Sequence, residues 1–103
     1  MELKGKQRRL LKSKANRMKP IFSVGKNGLS EVWLEEVTNA IEKRELMKIN
    51  ILQNADVSTD DVRNYIEKNS DIMVIQVIGR NLVLFKQAGD PDNRNVSVEV
   101  TSI

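Results

Sequence analysis

The chain has 103 residues, a formal net charge of +3, and neither cysteine nor histidine. This length fits one domain with a single core, and the two missing residue types exclude disulfides, thiolate or histidine metal sites and histidine-dependent nucleophilic catalysis. No apolar stretch approaches the roughly 20 residues of a membrane span, and no signal-peptide core follows the basic N-terminus, so we expect a cytoplasmic protein.

Positive charge is concentrated at the start of the chain. Residues 1–28 contain nine lysines and arginines and one glutamate, a net charge of +8, whereas residues 29–103 carry a net charge of −5. A charge distribution this polarised indicates a polyanionic partner, of which nucleic acid is the commonest.

The first predicted element is a basic helix. Residues 2–17 contain no proline and no β-branched residue and are rich in good helix formers. Apolar side chains recur at helical spacing and form a narrow stripe: Leu3, Leu10, Leu11, Ala15 and Met18. Neighbouring like charges cost a helix about 0.2–0.5 kcal/mol per pair, a cost that a bound polyanion would offset. A solvated lysine face is the alternative, but the acids that normally alternate with the lysines are absent.

A glycine-containing loop follows this helix. Lys19-Pro20 ends the helix, and residues 21–24 form a short apolar strand that leads into Gly25-Lys26-Asn27-Gly28. Ser30 then caps a second helix, whose N-terminus favours anions. Two glycines three apart are a weak motif alone, and a plain turn is the alternative. The strand before, the capped helix after and the basic helix upstream favour a phosphate-binding loop, as in the GxxG loop of KH modules.

The second helix presents two different faces. Its buried face is predicted to contain Trp33, Leu34, Val37, Ala40 and Ile41, so Trp33 is interpreted as a core residue. Its outer face carries Glu35, Glu36 and Glu42, which would repel RNA. Only the N-terminus of this helix is therefore a candidate contact.

The remaining elements complete a sheet. Residues 46–52 alternate and predict a half-exposed strand, with Lys48 and Asn50 on its outer side. Ser58 and Asp61 form a capping box for a third helix. Residues 71–79 are rich in β-branched side chains and indicate a central strand covered on both faces. A tight turn at Gly79-Arg80-Asn81 joins it to a last strand at 82–86.

The element order α-β-α-β-α-β-β predicts an α/β domain of two-layer type with a mixed four-stranded sheet. We assign residues 1–88 to this domain. A break at Gly89 separates it from residues 89–103, where alternating valines predict either a short edge strand or a loose tail.

The chain resembles the YhbY-like family, the stand-alone bacterial form of the CRM (chloroplast RNA splicing and ribosome maturation) domain. The resemblance covers about residues 3–87 in order and at family spacing, and the departures from the family pattern lie outside the loop and the basic helix. It rests on Lys6-Gln7, the segment from Leu11-Lys12 to Ala15, Lys19-Pro20, Gly25-Lys26-Asn27-Gly28-Leu29-Ser30-Glu31, Glu45-Leu46-Met47-Lys48, Gln76-Val77-Ile78-Gly79 and Leu82-Val83-Leu84-Phe85-Lys86.

The resemblance implies a fold like the C-terminal domain of translation initiation factor 3. It also implies association with precursors of the large ribosomal subunit, as in bacterial members of the family; plant relatives associate with group II introns. Carried over by matching position, the RNA contacts are Gly25, Lys26, Asn27, Gly28, Lys6, Lys12 and Lys19. Charge alone adds Lys4, Arg8, Arg9, Lys14, Arg17, Arg80 and Lys86.

Our functional hypothesis is therefore a non-catalytic, cofactor-free protein that docks structured rRNA during assembly of the large ribosomal subunit. The chain has only four aromatic residues, all within apolar patterns, so contacts to phosphates are expected rather than base stacking. Two alternatives belong to other classes. One is a protein-interaction adaptor whose acidic face, with Glu35, Glu36 and Glu42, binds a basic partner protein. The other is a small nuclease or hydrolase, which the scattered acids disfavour.

Overall fold

The computed structural model describes residues 2–103 as four strands, four α-helices and a 3-10 turn. In chain order these are α1 (Gly5–Ala15), β1 (Phe22–Val24), α2 (Glu31–Arg44), β2 (Leu46–Ile51), α3 (Thr59–Asn69), β3 (Met73–Ile78), β4 (Asn81–Phe85), the 3-10 turn (Pro91–Asn93) and α4 (Val96–Thr101). The first seven elements appear in the predicted order, although α1 ends four residues before Lys19.

The strands form one mixed sheet with the order β1-β2-β4-β3. β1 runs parallel to β2, whereas β4 is antiparallel to both β2 and β3. A register shift between Val74 and Gln76 interrupts the β3–β4 hairpin. The predicted mixed four-stranded sheet is thus confirmed.

Helices cover both faces of the sheet. On one face α2 and α3 bury the larger core, into which Val37, Ile41 and Ile66 project. Each of these two helices begins at a serine cap, since Ser30 accepts the Trp33 N–H at 3.1 Å and Ser58 accepts the Asp61 N–H at 3.0 Å. On the other face α1 and α4 form a smaller core. The domain therefore has three layers, one more than expected.

The prediction that β2 is half-exposed is wrong. Its outer side lies under α1, so Leu46 is buried and the Lys48 residue is only 9% exposed. Alternation of apolar and polar residues predicted one solvated face, but the methylene stem of a lysine can pack against apolar surface. Only Asn50, near the end of the strand, is partly exposed on that side.

The prediction that β3 is a central strand covered on both faces is also wrong. β3 lies at the edge of the sheet, and Val77 and Ile78 remain 39% and 47% exposed. The central position belongs to β4, in which Leu82, Val83 and Leu84 are almost completely buried. A dense β-branched run indicates a strand but does not determine its place in the sheet order.

The C-terminal residues form neither an edge strand nor a loose tail. Residues 96–101 form α4, in which Ser97 and Val100 are buried and Val98 is 55% exposed. The Gln7 amide on α1 donates to the Val100 carbonyl at 3.2 Å, and the Lys14 ammonium lies 2.8 Å from the Glu99 carboxylate. Packing against α1 overrides the local β preference of the valines.

A buried carboxylate holds this C-terminal segment in place. Glu45, which links α2 to β2 with φ 63°, is completely buried. Its carboxylate accepts the N–H groups of Ala88, Asn95 and Ser97 at 2.8–3.0 Å and the Ser97 hydroxyl at 2.5 Å. Burial raises the pKa of Glu45, but these hydrogen bonds outweigh it and hold the pKa below its ordinary value of 4.5. Glu45 is therefore ionised in the folded protein at neutral pH.

We expect acid to destabilise the fold through two glutamates. Hydrogen bonds from the Asp90 and Gly89 N–H groups lower the pKa of Glu42, which also accepts from Lys86, and the pKa of Glu45 is lowered as described. A carboxyl group whose pKa is depressed by folding stabilises the protein above its unfolded pKa, and this contribution is lost as pH falls through the folded pKa. Thermal unfolding midpoints should be flat from neutral pH to about 5 and then decline. The decline should be shallower for Glu45→Gln, and an equally steep decline in that variant would contradict this assignment.

Candidate nucleic-acid interface

The loop from Gly25 to Gly28 is a tight turn held at both ends. The Gly28 N–H donates to the Gly25 carbonyl at 2.9 Å, and Gly28 adopts φ +69°, in the left-handed region that favours glycine. Before the loop, the Leu52 N–H donates to the Val24 carbonyl at 2.9 Å. After it, Leu29 packs against the larger core. The exposed residues between the glycines therefore project from a fixed base.

Trp33 supports the same loop from α2. Its indole N–H donates to the Ser23 carbonyl at 3.0 Å, and its ring packs partly buried against the larger core. The interpretation of Trp33 as a core residue is confirmed in part, since the ring packs against the core but is only partly buried. Its hydrogen bond to β1 has no signal in the sequence, because Ser23 and Trp33 become neighbours only when α2 folds back on the strand.

The loop borders a small concave surface at the N-terminus of α2. This surface is lined by the four loop residues together with Ser30, Val32, Trp33 and Glu36. Lys26 and Asn27 are exposed at its edge. A helix N-terminus attracts phosphate, whereas the carboxylates of Glu31 and Glu36 on the same helix repel it. The geometry thus favours a phosphate at the loop end of this surface, beside Lys26.

Most basic side chains of the N-terminal segment are exposed. α1 buries Gln7, Leu11 and Ala15 against the sheet and α4, which leaves the charged residues on its outer side. The exposed ones are Lys4, Lys6, Arg9, Lys12, Arg17 and Lys19, while Arg8 and Lys14 are partly exposed. Lys14 is paired with Glu99, so one of the predicted contacts also has a partner within the protein.

Arg80 lies beside the loop, as part of a structural clamp. Its guanidinium donates to the Ile51 carbonyl at 3.0 Å and to the Leu52 carbonyl at 2.8 Å. The Leu52 side chain in turn is the nearest neighbour of Gly25, 3.6 Å from the position that a Cβ would occupy there. A guanidinium has five N–H donors, so Arg80 keeps donors and its charge for a ligand.

Lys86 does not join the other predicted residues. It follows the far end of β4, whereas Arg80 and the loop lie at the end where β4 begins. The Lys86 ammonium lies 3.3 Å from the Glu42 carboxylate, and the backbone N–H of Lys86 donates to the Glu45 carbonyl. The structure therefore places Lys86 in the network that holds the C-terminal segment, and we leave it out of the candidate interface.

The described part of the chain shows neither a metal-binding cluster nor a membrane-spanning helix. Residues 2–103 contain no group of three or more potential metal-binding carboxylates. Within the same residues no helix is both long enough and apolar enough to cross a membrane.

Comparison with known proteins identifies relatives of this chain. The family model of the CRS1/YhbY (CRM) domain matches residues 3–86. The probable RNA-binding protein YqeI of Bacillus subtilis is 41% identical over 86 residues, which cover 84% of this chain and 90% of YqeI. An RNA-binding protein of Haemophilus influenzae is 35% identical over 85 residues, covering 82% of this chain and 85% of that protein.

A solved structure has the same fold. The solution structure of the hypothetical protein SAV1595 from Staphylococcus aureus, described as a candidate RNA-binding protein, aligns with a TM-score of 0.70 and 31% identity. The alignment covers 91% of this chain and 98% of SAV1595. With the family match spanning the loop, the basic helix and the whole sheet, this chain belongs to the CRS1/YhbY (CRM) domain family.

Proposed function

We propose that this protein binds structured rRNA through α1 and the Gly25–Gly28 loop and acts, without catalysis, in assembly of the large ribosomal subunit. The observation that carries the proposal is the combination of six exposed basic residues in the N-terminal segment with an exposed turn whose backbone is accessible. Relatives named as RNA-binding proteins support an RNA partner. Its assignment to the large subunit rests on the resemblance to the YhbY-like family.

The burial of the aromatic residues supports contacts to the RNA backbone. Phe85 is completely buried, and Phe22, Trp33 and Tyr65 are partly buried against the larger core. Aromatic rings that pack against the core are less suited to the base stacking that single-strand binders use. Phosphates, sugars and shape are therefore the features that α1 and the loop are suited to recognise.

One of the three glutamates of the adaptor alternative is not free to bind a partner protein. Glu42 accepts hydrogen bonds from the Gly89 and Asp90 N–H groups and from Lys86, so its carboxylate is engaged within the protein. Glu35 and Glu36 remain exposed. Binding to purified rRNA in the absence of ribosomal proteins separates the two hypotheses, because an adaptor would not need the N-terminal charges for it.

We expect the affinity for rRNA to fall steeply with salt. Neutralising about four to six phosphates predicts a slope of log K against log salt of roughly −3 to −5. Replacing Arg9 and Lys12 by alanine should weaken binding and make the slope less negative by about 0.7–0.9 for each phosphate that is no longer neutralised. The measurement is a titration of purified rRNA at several salt concentrations.

A matched control removes the same charge elsewhere. Lys43 in α2 and Lys68 in α3 are exposed and lie outside the N-terminal segment. Their double alanine variant should retain nearly the wild-type slope. Equal effects of the two double variants would mean that net charge alone, not α1, governs binding.

The ribosomal part of the proposal is tested in cells. Lysate of the source organism is fractionated on a sucrose gradient with and without a high-salt wash. We expect salt-labile co-migration with precursors of the large subunit. Sedimentation at the top of the gradient at low salt would refute the ribosomal role while leaving RNA binding itself open to the titration above.

A further inference from the structure

A row of polar side chains crosses the sheet at the end nearest the loop. Ser23, Asn50 and Asn81 are cross-strand neighbours on β1, β2 and β4, and Ile78 continues the row on β3. The Ser23 hydroxyl donates to the Asn50 side-chain oxygen at 2.6 Å, which confirms that both project from the same face. We call Ser23, Asn50 and Asn81 the amide row.

The amide row lies on the face that α1 covers, but beyond the reach of that helix. Leu11 and Ala15 of α1 pack against Leu46, Val83 and Phe85, which lie farther along the same strands. Along β4 the face therefore changes from buried apolar residues to an open polar end. Asn50 and Asn81 are partly exposed, and Ile78 at the end of the row is 47% exposed.

The amides in this row have unused hydrogen-bonding capacity. Ser23 occupies one lone pair of the Asn50 oxygen, which leaves the Asn50 NH₂ group as a donor. The side chain of Asn81 makes no hydrogen bond to another residue of the described range 2–103. An asparagine amide presents a donor and an acceptor side by side, which matches the edge of an adenine and other bases.

We propose, resting on the proposed RNA-binding function, that the amide row binds the base edges of unpaired nucleotides next to the RNA segment held by the loop. The row is continuous with the candidate interface, because Asn50 and Asn81 adjoin Ile51 and Arg80, whose backbones are hydrogen-bonded at 2.8 Å. Arg80 in turn donates to the Leu52 carbonyl, and the Leu52 side chain is the nearest neighbour of Gly25. A strand of RNA whose phosphate lies at the loop would thus pass over the amide row.

Unpaired nucleotides fit this surface better than a duplex. The major groove of A-form RNA is too deep and narrow for side chains to read, and short amides on a sheet face do not reach into it. Splayed bases expose their edges and can lie against Ile78. Lys48 lies two residues before Asn50 on β2, and Arg80 directly precedes Asn81. Both are positively charged, which favours RNA over a basic protein segment.

The test uses a pool of RNA hairpins with one fixed stem and a randomised loop. We expect the wild-type protein to enrich particular loops. The preference of the double variant Asn50→Ala, Asn81→Ala for an enriched loop over a scrambled one should be roughly ten-fold lower. Its salt slope on the fixed stem should be unchanged, since the phosphate contacts are retained. The variant Asn64→Ala, which removes an exposed amide from α3, is the matched control and should behave like wild type.

Two results would overturn the inference while leaving the proposed function intact. One is salt-dependent binding of the pool by wild type without preference for any loop. The other is an unchanged loop preference in the double variant or, should that variant not fold, in Asn81→Ser alone. Absence of any binding to the hairpins or to purified rRNA would instead refute RNA binding and the inference together.

Discussion

Replacement of Gly28 by valine should abolish most RNA binding while leaving the domain folded. Gly28 adopts φ +69°, where a β-branched residue is strained by about 1–3 kcal/mol. No atom lies within 4 Å of the position that its Cβ would occupy, so the penalty comes from the backbone and not from a clash. The loop would relieve this strain by changing shape. If the binding-competent shape becomes disfavoured by that amount, affinity falls by about 5- to 150-fold.

Gly25→Ala is the complementary variant, because it tests the approach of the ligand rather than the shape of the loop. An added Cβ at Gly25 would meet only the Leu52 side chain at 3.6 Å, an ordinary van der Waals contact. The fold should therefore tolerate alanine. A loss of affinity in this variant would show that the RNA backbone comes close to Gly25.

The measurement for both glycine variants is rRNA titration together with thermal unfolding. Lys26→Ala, which shortens an exposed side chain without changing the turn, should weaken binding less than Gly28→Val. Wild-type affinity in Gly28→Val and Gly25→Ala, with the fold intact, would show that the loop is only a turn.

Glu45→Ala should cause a large loss of stability. The change removes the acceptor for three N–H groups and one hydroxyl, and Ala88 and Ser97 are each only 1% exposed. Leaving a buried donor unsatisfied costs about 1–3 kcal/mol, so we expect a total loss of about 3–5 kcal/mol in the free energy of unfolding. The left-handed backbone at this position would remain strained in the alanine variant.

Denaturant unfolding measures the loss, and amide hydrogen exchange locates it. Protection should decrease first at Ser97 and the following residues of α4. Glu45→Gln should lie between wild type and alanine, because its side chain keeps one acceptor oxygen but turns an NH₂ group toward other donors. Glu35→Ala, at an exposed position of α2, should change stability by no more than about 0.5 kcal/mol. Equal stability of the Glu45 and Glu35 variants would contradict the role of the buried carboxylate.

Local features of the sequence predicted the early elements well. The serine caps at Ser30 and Ser58 and the turn at Gly79 depend on interactions within a few residues, so they can be predicted from the sequence alone. The Gly25–Gly28 turn was predictable for the same reason, since β1 directly precedes it and the capped helix α2 directly follows it in the sequence. The basic character of α1 follows from composition. Exposure of most of its charges agrees with the narrow apolar stripe that its spacing predicted.

Three features depend on contacts between distant residues. β3 is an edge strand because β4 pairs with β2 as well as with β3, and hairpin sequences do not encode which strand lies inside. β2 is buried on both sides because α1 crosses its outer face. The C-terminal valines are helical because their segment packs against α1 and because Glu45, about 50 residues earlier, accepts hydrogen bonds from the N–H groups of Asn95 and Ser97.

The candidate interface also combines properties that the sequence predicts with properties that only the fold determines. Composition and local pattern were sufficient to define its chemical character: a basic N-terminal segment, a turn with accessible backbone and no residues for histidine or cysteine catalysis. Which polar groups meet became clear only from the folded chain. Folding paired Lys14 and Lys86 with carboxylates, placed Arg80 beside the loop and aligned the amide row across three strands. The physical reason is that charge and turn chemistry are local properties, whereas pairing, register and burial depend on which distant segments pack together.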